Sequence, residues 1–297
     1  MKNLMLIVNP AAGRGTYKST LPDALQSLDN GGYRVTMFHT SGRGDATEFA
    51  ARYAPDYDVA VCIGGDGTLS EMLAGLMKVD ADRRPMIGYI PVGTANDVAT
   101  TLGLPKNDAL AAANAILNGT PHPFDVGGFG DSEYFSYIAA FGAFTEVSYE
   151  TPQNQKKALG HLAYVLQGAA ELSKIESYHT VVEYDDGVVE GNLVYGSMSN
   201  STSVAGIVRL KEEMVSLGDG MSELVLVKDP GSLEGFGNIV TSVLSQRFDS
   251  ENLLILHTKK AVFTFDKPVK WTRDGEAGGQ HSRIELYNYA HPVQLIF

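Results

Sequence analysis

Cysteine is almost missing from this chain: Cys62 is the one example in 297 residues. An internal disulfide is therefore excluded, and the chain suits a reducing compartment. Cys62 lies in the apolar run "YDVAVCI" (57–63), where a small buried side chain is expected rather than a nucleophile. Long hydrophobic runs are missing too, none reaching the ~18 apolar residues of a transmembrane helix. The N-terminal "MKNLMLIVNP" is apolar but runs into Asn-Pro and a glycine loop, so it reads as a buried first strand rather than a leader. Positive charge is scarce: 23 Lys and Arg against 35 Asp and Glu give a net charge of −12. That balance argues against nucleic-acid partners, which need phosphate-neutralising cations. Two basic runs, "NQKKALGH" (154–161) and "KKAVFTFDKPVKWTR" (259–273), read first as solvated faces. The seven histidines show no metal spacing. Neither G-x-x-x-x-G-K-[ST] nor G-x-G-x-x-G follows the first strand, which disfavours a P-loop and a standard dinucleotide fold.

What remains is an ordinary globular composition, 44% hydrophobic and 20% charged, long enough for one large domain or two ordinary ones. Through residue 125 strand and helix signals alternate. Strands are expected at 3–8, 33–40, 57–63 and 85–90, and helices at 44–54, 68–78, 95–104 and 108–119. "TYKSTLPDALQSLDNGG" reads as a further helix closed by glycines. Strands separated by helices imply a parallel sheet with right-handed crossovers. From about 126 onward short strands and turns prevail, around one strongly periodic helix at 156–174. The expected organisation is an α/β domain at 1–125 and a β-rich, sandwich-like domain at 126–286. Residues 287–297 are a segment that can return to the first domain.

Three glycine loops end first-domain strands: "NPAAGRG" (9–15), "GGDGT" (64–68) and "PVGTAND" (91–97). In an open parallel sheet the C-terminal strand tips are where ligands bind. Glycines at such a junction let backbone N–H groups close around a phosphate. Asp66 inside the second loop conflicts with an anion unless a divalent cation lies between them. Thr94, Asn96 and Asp97 in the third loop are candidate nucleotide-binding residues, with a plainer use as caps for the helix that follows. "RDGE" (273–276) carries two carboxylates, Asp274 and Glu276, which on a strand point to one side; a β-turn is the plainer reading.

"NPAAG", "GGDGT" and "PVGTAND", in this order, resemble the diacylglycerol kinase catalytic family of bacterial soluble lipid kinases. "YFSYIAAFGAFTEV" (134–147), "KALGHLAYVLQG" (157–168), "SNSTSVAG" (199–206), "SLGDGMSELVLV" (216–227) and "WTRDGE" (271–276) extend the likeness over nearly the whole chain. The GGDGT element is shared with NAD kinases. The resemblance implies an NAD kinase/phosphofructokinase-like first domain and a lipid-acceptor second domain. ATP and Mg²⁺ are the implied cofactors. Gly64, Gly65, Gly67 and Thr68 would cradle ATP with Asp66 near the catalytic Mg²⁺, and Leu69 and Ser70 complete the segment. Thr40 and Thr94 match nucleotide-contacting threonines, while Asn9 and Arg14 would fix the first loop or the phosphates. Glu276 is the implied proton acceptor, with Asp274 in base or metal chemistry. "SLGDGM" resembles a structural metal loop, with Asp219 and the carbonyls of Ser216 and Met221 as ligands. Gly218 stands where the family commonly has an additional aspartate, which weakens that loop.

The expected activity is transfer of the ATP γ-phosphoryl to a lipid hydroxyl, diacylglycerol by default. Sphingoid bases and phosphatidylglycerol remain open as acceptors. NAD kinase is one alternative, and a non-catalytic nucleotide-binding regulator is another. A cytoplasmic protein meeting its lipid substrate peripherally at the membrane is expected. A homodimer stays open.

Overall fold

The computed structural model describes residues 1–143, 145, 176–200, 203–204, 208–209, 217–245, 247–248 and 250–297. Strands and helices alternate first: β1 (Lys2–Val8), α1 (Leu21–Asn30), β2 (Tyr33–His39), α2 (Asp45–Tyr53), β3 (Val59–Gly64), α3 (Asp66–Leu76), β4 (Met86–Pro91), α4 (Asp97–Thr101) and α5 (Ala109–Asn118). These strands lie in the order β4-β3-β1-β2. Each neighbouring pair is parallel, with Leu4 opposite both Val35 and Val59, and Val61 opposite Gly88. The apolar runs have a direct cause, because helices cover both faces. Met5, Ile7, Ala60 and Cys62 pack with Leu69, Met72 and Leu73 of α3. Leu4, Leu6, Val59 and Val61 pack with Leu28 of α1 and Ala112 and Ile116 of α5. Each Leu, Ile, Val or Met among them contributes roughly 1.5–3 kcal/mol on burial, so a slip of one residue in register is strongly opposed.

The rest of the described chain is mostly strand: β5 (Pro121–Phe129), β6 (Glu133–Phe135), β7 (Ile138–Gly142), β8 (Tyr178–Tyr184), β9 (Gly187–Ser199), β10 (Ser203–Val204), β11 (Val208–Arg209), β12 (Ser222–Lys228), α6 (Leu233–Leu244), β13 (Leu253–Thr258), β14 (Lys260–Arg273) and β15 (Glu276–Ile296). The boundary read at 125 falls inside β5. β15 pairs antiparallel with β14 and β5, and near its end Leu295 pairs parallel with Ile87 of β4. One sheet of thirteen strands therefore runs through both parts. β9 and β14 each pair with β8 along one stretch and with β7 along another. The core beside them is aromatic: the Trp271 ring lies 5.0 Å from Phe141 and 5.1 Å from Phe263.

The segments "RIELYNY" and "PVQLIF" belong to one strand, β15, with an irregularity between Tyr289 and Val293. α6 was not expected, because Gly235 and Gly237 obscure its period. The helix expected at 156–174 lies outside the described residues. Among the described residues no helix is long and apolar enough to cross a membrane.

Candidate active site

β1, β3 and β4 end side by side, with Val8 opposite Ile63 and Gly64 opposite Pro91. The three glycine loops therefore leave the sheet at one place. Gly65 and Gly93 meet backbone to backbone. A Cβ on Gly65 would lie 3.2 Å from the Gly93 Cα, and one on Gly93 would lie 2.5 Å from the Gly65 Cα. Any side chain there forces the loops apart. Asn9 Nδ2 donates to Thr68 Oγ1 at 3.0 Å, tying the first loop to the second. Within the third loop, Asn96 Oδ1 accepts from Gly93 N and Nδ2 donates to Gly93 O, both at 2.9 Å. Thr40 N donates to Val8 O at 2.9 Å and holds the end of β2 beside them. Gly67 and Thr94 are exposed, whereas Leu69 is buried in the core and anchors α3. Arg14 lies in the 3₁₀ turn Ala12–Ser19, and its side chain is outside the described set.

Asp66 answers first to the protein. Its Oδ2 accepts from Asp97 N at 3.1 Å and its Oδ1 from Val98 N at 3.3 Å, so it caps α4 from a neighbouring loop. The caps expected from the third loop are thereby corrected: Asn96, at the N-cap with φ 54°, makes no side-chain cap bond. Its amide is committed to Gly93, which leaves the helix N–H groups to Asp66. Asp66 is only 8% exposed. Burial, then the charge of Asp97, pushes its carboxyl up to about 6, against the pull of the two amides; Asp274 adds to the rise. Asp66 is thus a buried carboxylate beside other carboxylates, with two backbone amides as its printed donors.

A pH dependence follows. A folded-state value of about 6 lies above the ordinary 3.8, so between these pH values the native state holds a proton that the unfolded chain has lost. Its contribution to stability therefore falls as pH rises through about 4 to 6. Without nucleotide and with EDTA present, the Tm of Asp66→Asn relative to wild type is expected to rise across that interval. A constant difference from pH 4 to 7 would remove this assignment.

The "RDGE" segment is a two-residue hairpin turn joining β14 to β15. Asp274 and Gly275 have φ 49° and 77°, and Arg273 pairs with Glu276. The expectation that Asp274 and Glu276 point the same way along a strand is thus corrected, because the turn separates them. Asp274 is buried, its Oδ2 accepting from Ser136 N (2.6 Å) and Ser136 Oγ (3.0 Å). Its Oδ1 accepts from Tyr137 N (3.0 Å) and Ile138 N (3.1 Å). The Ser70 side chain bonds it as well, so this carboxylate joins α3 to the start of β7. Burial pushes its carboxyl up, and the donors pull it back. Glu276 is different. Its side chain is 54% exposed, and its Oε2 lies 3.2 Å from Arg43 Nη1.

"SLGDGM" is described from Leu217 to Met221. Asp219 Oδ1 accepts from Met221 N at 2.9 Å, and His291 Nε2 lies 2.6 Å from Gly218 O. A Cβ at Gly218 would run into the Pro123 carbonyl, which explains why no aspartate stands there. Ser216 lies outside the described residues. Among the described residues no group of three His, Cys, Asp or Glu side chains converges as a metal cage. The loop is held by Asp125, which is fully buried. It accepts from Gly220 N (2.7 Å), His291 N (2.7 Å) and Asn288 Nδ2 (3.0 Å). Asp125→Asn turns an amide toward groups that are already donors. It is expected to cost roughly 3 kcal/mol, since bonds to a charged acceptor are worth about 1.5–3 each. Urea unfolding with an unchanged midpoint would contradict this.

Sequence reading missed Arg43, Ser136, Tyr137 and Asp125. Arg43 stood in "SGRGDA" beside the flagged Thr40, and the "SY" of "YFSYIAAFGAF" supplied Ser136 and Tyr137. Neither stretch signals which carboxylate it meets.

A fold with glycine loops at parallel strand tips, and an acidic hairpin from the β-rich part brought to them, is that of a two-domain α/β kinase. A family model described as the diacylglycerol kinase catalytic domain matches residues 3–129. A diacylglycerol kinase of Bacillus subtilis (strain 168) is 33% identical over 297 residues, covering 99% of this chain and 96% of that protein. One from Staphylococcus saprophyticus subsp. saprophyticus is 36% identical over 284 residues, covering 94% and 90%. Two solved chains from Bacillus anthracis str. Sterne superpose on all of this one. The first has a TM-score of 0.83 at 26% identity and 95% coverage of that chain. The second, described as a diacylglycerol kinase, has 0.77 at 24% identity and 97% coverage. The chain belongs to the diacylglycerol kinase family and is a lipid kinase.

Proposed function

We propose that this lipid kinase uses ATP and Mg²⁺, and that Glu276 takes the proton of the acceptor hydroxyl. One observation carries the reading. The Tyr137 phenol is pushed well above its ordinary value by burial first, and then by the charges of Asp274, Asp97, Asp66 and Glu276. Carboxylates from three separate loops thus bear on one point, beside glycine turns with the form of a phosphate cradle. Phosphoryl transfer is mostly positioning and charge neutralisation, with a base for the attacking hydroxyl. The chain supplies each part. Gly64, Gly65, Gly67 and Thr68 would form the cradle at the start of α3, where the helix dipole favours phosphates. Asn9, Thr40, Ser70, Thr94 and Asn96 shape or flank that cradle, and Asp97 adds negative charge beside Asp66. When bound, Mg²⁺ would offset phosphate charge next to Asp66. Asp274 positions the hairpin and does not act as base, because its oxygens are already engaged by backbone and hydroxyl donors. Glu276 is exposed, so an acceptor hydroxyl can reach it.

The names of the relatives make diacylglycerol the first acceptor to test. The substrate would be met peripherally, at a lipid surface. Labelled ATP with Mg²⁺ is offered to diacylglycerol, a sphingoid base and phosphatidylglycerol in mixed micelles, with NAD alongside. Label in a lipid and none in NAD is the expected result. Conversion of NAD to NADP with every lipid unlabelled would overturn the reading.

A further inference from the structure

Arg43 stands in the loop between β2 and α2, and Glu276 opens β15; their side chains meet at 3.2 Å. The loop carrying Arg43 is anchored from several sides. Asp45 Oδ2 accepts from Ser41 N at 2.6 Å and Gly42 N at 3.0 Å. Gly44, with φ 89°, donates its N–H to Glu71 Oε1 at 3.0 Å. Thr47 Oγ1 donates to Glu71 O at 2.9 Å. The backbone is thereby tied to α3, the helix that begins with Asp66. The guanidinium extends from this fixed loop with 69% of its side chain exposed.

The surrounding charge makes that cation consequential. Asp274, Asp97, Asp66 and Glu276 all act on the buried Tyr137 phenol, so negative charge is concentrated beside the glycine loops. An acceptor hydroxyl must lie about 2.6–3.2 Å from its base. Its oxygen must also approach phosphorus to about 3–3.5 Å. A guanidinium already touching that base is within a side-chain rotation of the phosphoryl oxygens. Its planar fork suits a carboxylate and a phosphoryl group equally.

We propose that Arg43 is a catalytic residue that neutralises the transferring phosphoryl group, exchanging its contact with Glu276 for one with that group. The proposal rests on the lipid-kinase reading given above. As nucleotide enters, the guanidinium turns to the γ-phosphoryl oxygens and Glu276 is released. The acceptor O–H proton passes to Glu276, and the acceptor oxygen forms its bond to the γ-phosphorus. The bond from that phosphorus to the β–γ bridging oxygen breaks, and its electron pair leaves with ADP. Arg43 stays protonated throughout.

The test measures kcat for R43A, R43Q and R43K on the best lipid acceptor, with ADP affinity by calorimetry. R43A and R43Q should lose on the order of 10²-fold in kcat, the scale of one transition-state donor. R43K should recover part of the loss, because Lys keeps the charge without the fork. ADP affinity should stay near wild type, and so should Tm, since an exposed pair adds little stability. Wild-type kcat in R43A would overturn the role, and so would an ADP affinity that falls in step with kcat/KM. A wild-type protein inactive on every lipid defeats the kinase reading itself. An active wild type with an equally active R43A defeats only the role of Arg43.

Discussion

Glu276→Gln is expected to lower kcat by roughly 10²–10⁴-fold, the usual contribution of a general base. Glu276 is the exposed member of the acidic group, while Asp66 and Asp274 are buried and engaged by backbone donors. Glutamine keeps the size of the side chain and its place in β15 but cannot take a proton. Folding should be unaffected, because among the described residues the Glu276 carboxylate pairs with an exposed arginine, a contact worth little in water. ADP affinity should hold for the same reason. Single-turnover measurement with labelled ATP separates the two effects. A variant that binds nucleotide poorly but turns over normally at saturation would place Glu276 in the nucleotide site. Asp274 would not inherit the base role, since its carboxylate already accepts from Ser136, Tyr137 and Ile138.

Asp66→Asn is expected to reduce turnover by roughly 10²–10³-fold, the scale of removing one main electrostatic contributor. The change is conservative for the fold. The amide oxygen can still accept from Asp97 N or Val98 N, and the cost of burying a charge disappears. Stability at neutral pH should therefore be equal or higher even as activity is lost. Opposite movement of Tm and kcat separates a charge needed for chemistry from one needed for structure. Raising Mg²⁺ should restore only part of the rate, because the variant lacks the charge that favours a cation there. If the variant is folded and turns over normally, Asp66 is only a cap for α4.

Much of the first domain was legible because its signals are local. Helix and strand periods of apolar residues survive in any window of the sequence. Glycines betray a turn because the backbone itself demands them. Gly65 and Gly93, which stand where a Cβ has no room, are the clearest instances. The β-rich part was harder. Its long strands bend and change partners, as β14 does between β8 and β7, so a window of sequence shows pieces rather than strands.

By itself the sequence determined the alternation of strands and helices, the glycine loops at three strand ends, and the presence of two carboxylates, Asp274 and Glu276, late in the chain. These rest on periodicity and on φ preference, which act over a few residues. Only the tertiary structure decided what each acidic group does. Asp66 caps a helix 31 residues away, and Asp274 meets Ser136 across 138 residues. Asp125 holds a loop 95 residues on, and Arg43 faces Glu276 from the opposite end of the chain. The reason is physical. An aspartate in a turn can serve a phosphate, a cation or an orphan N–H equally well by its local chemistry. Which of these it meets depends on strand pairings and buried surfaces assembled from distant segments. One carboxylate was thereby buried and saturated as a strut, another raised toward neutrality as a cap, and a third left exposed at the site.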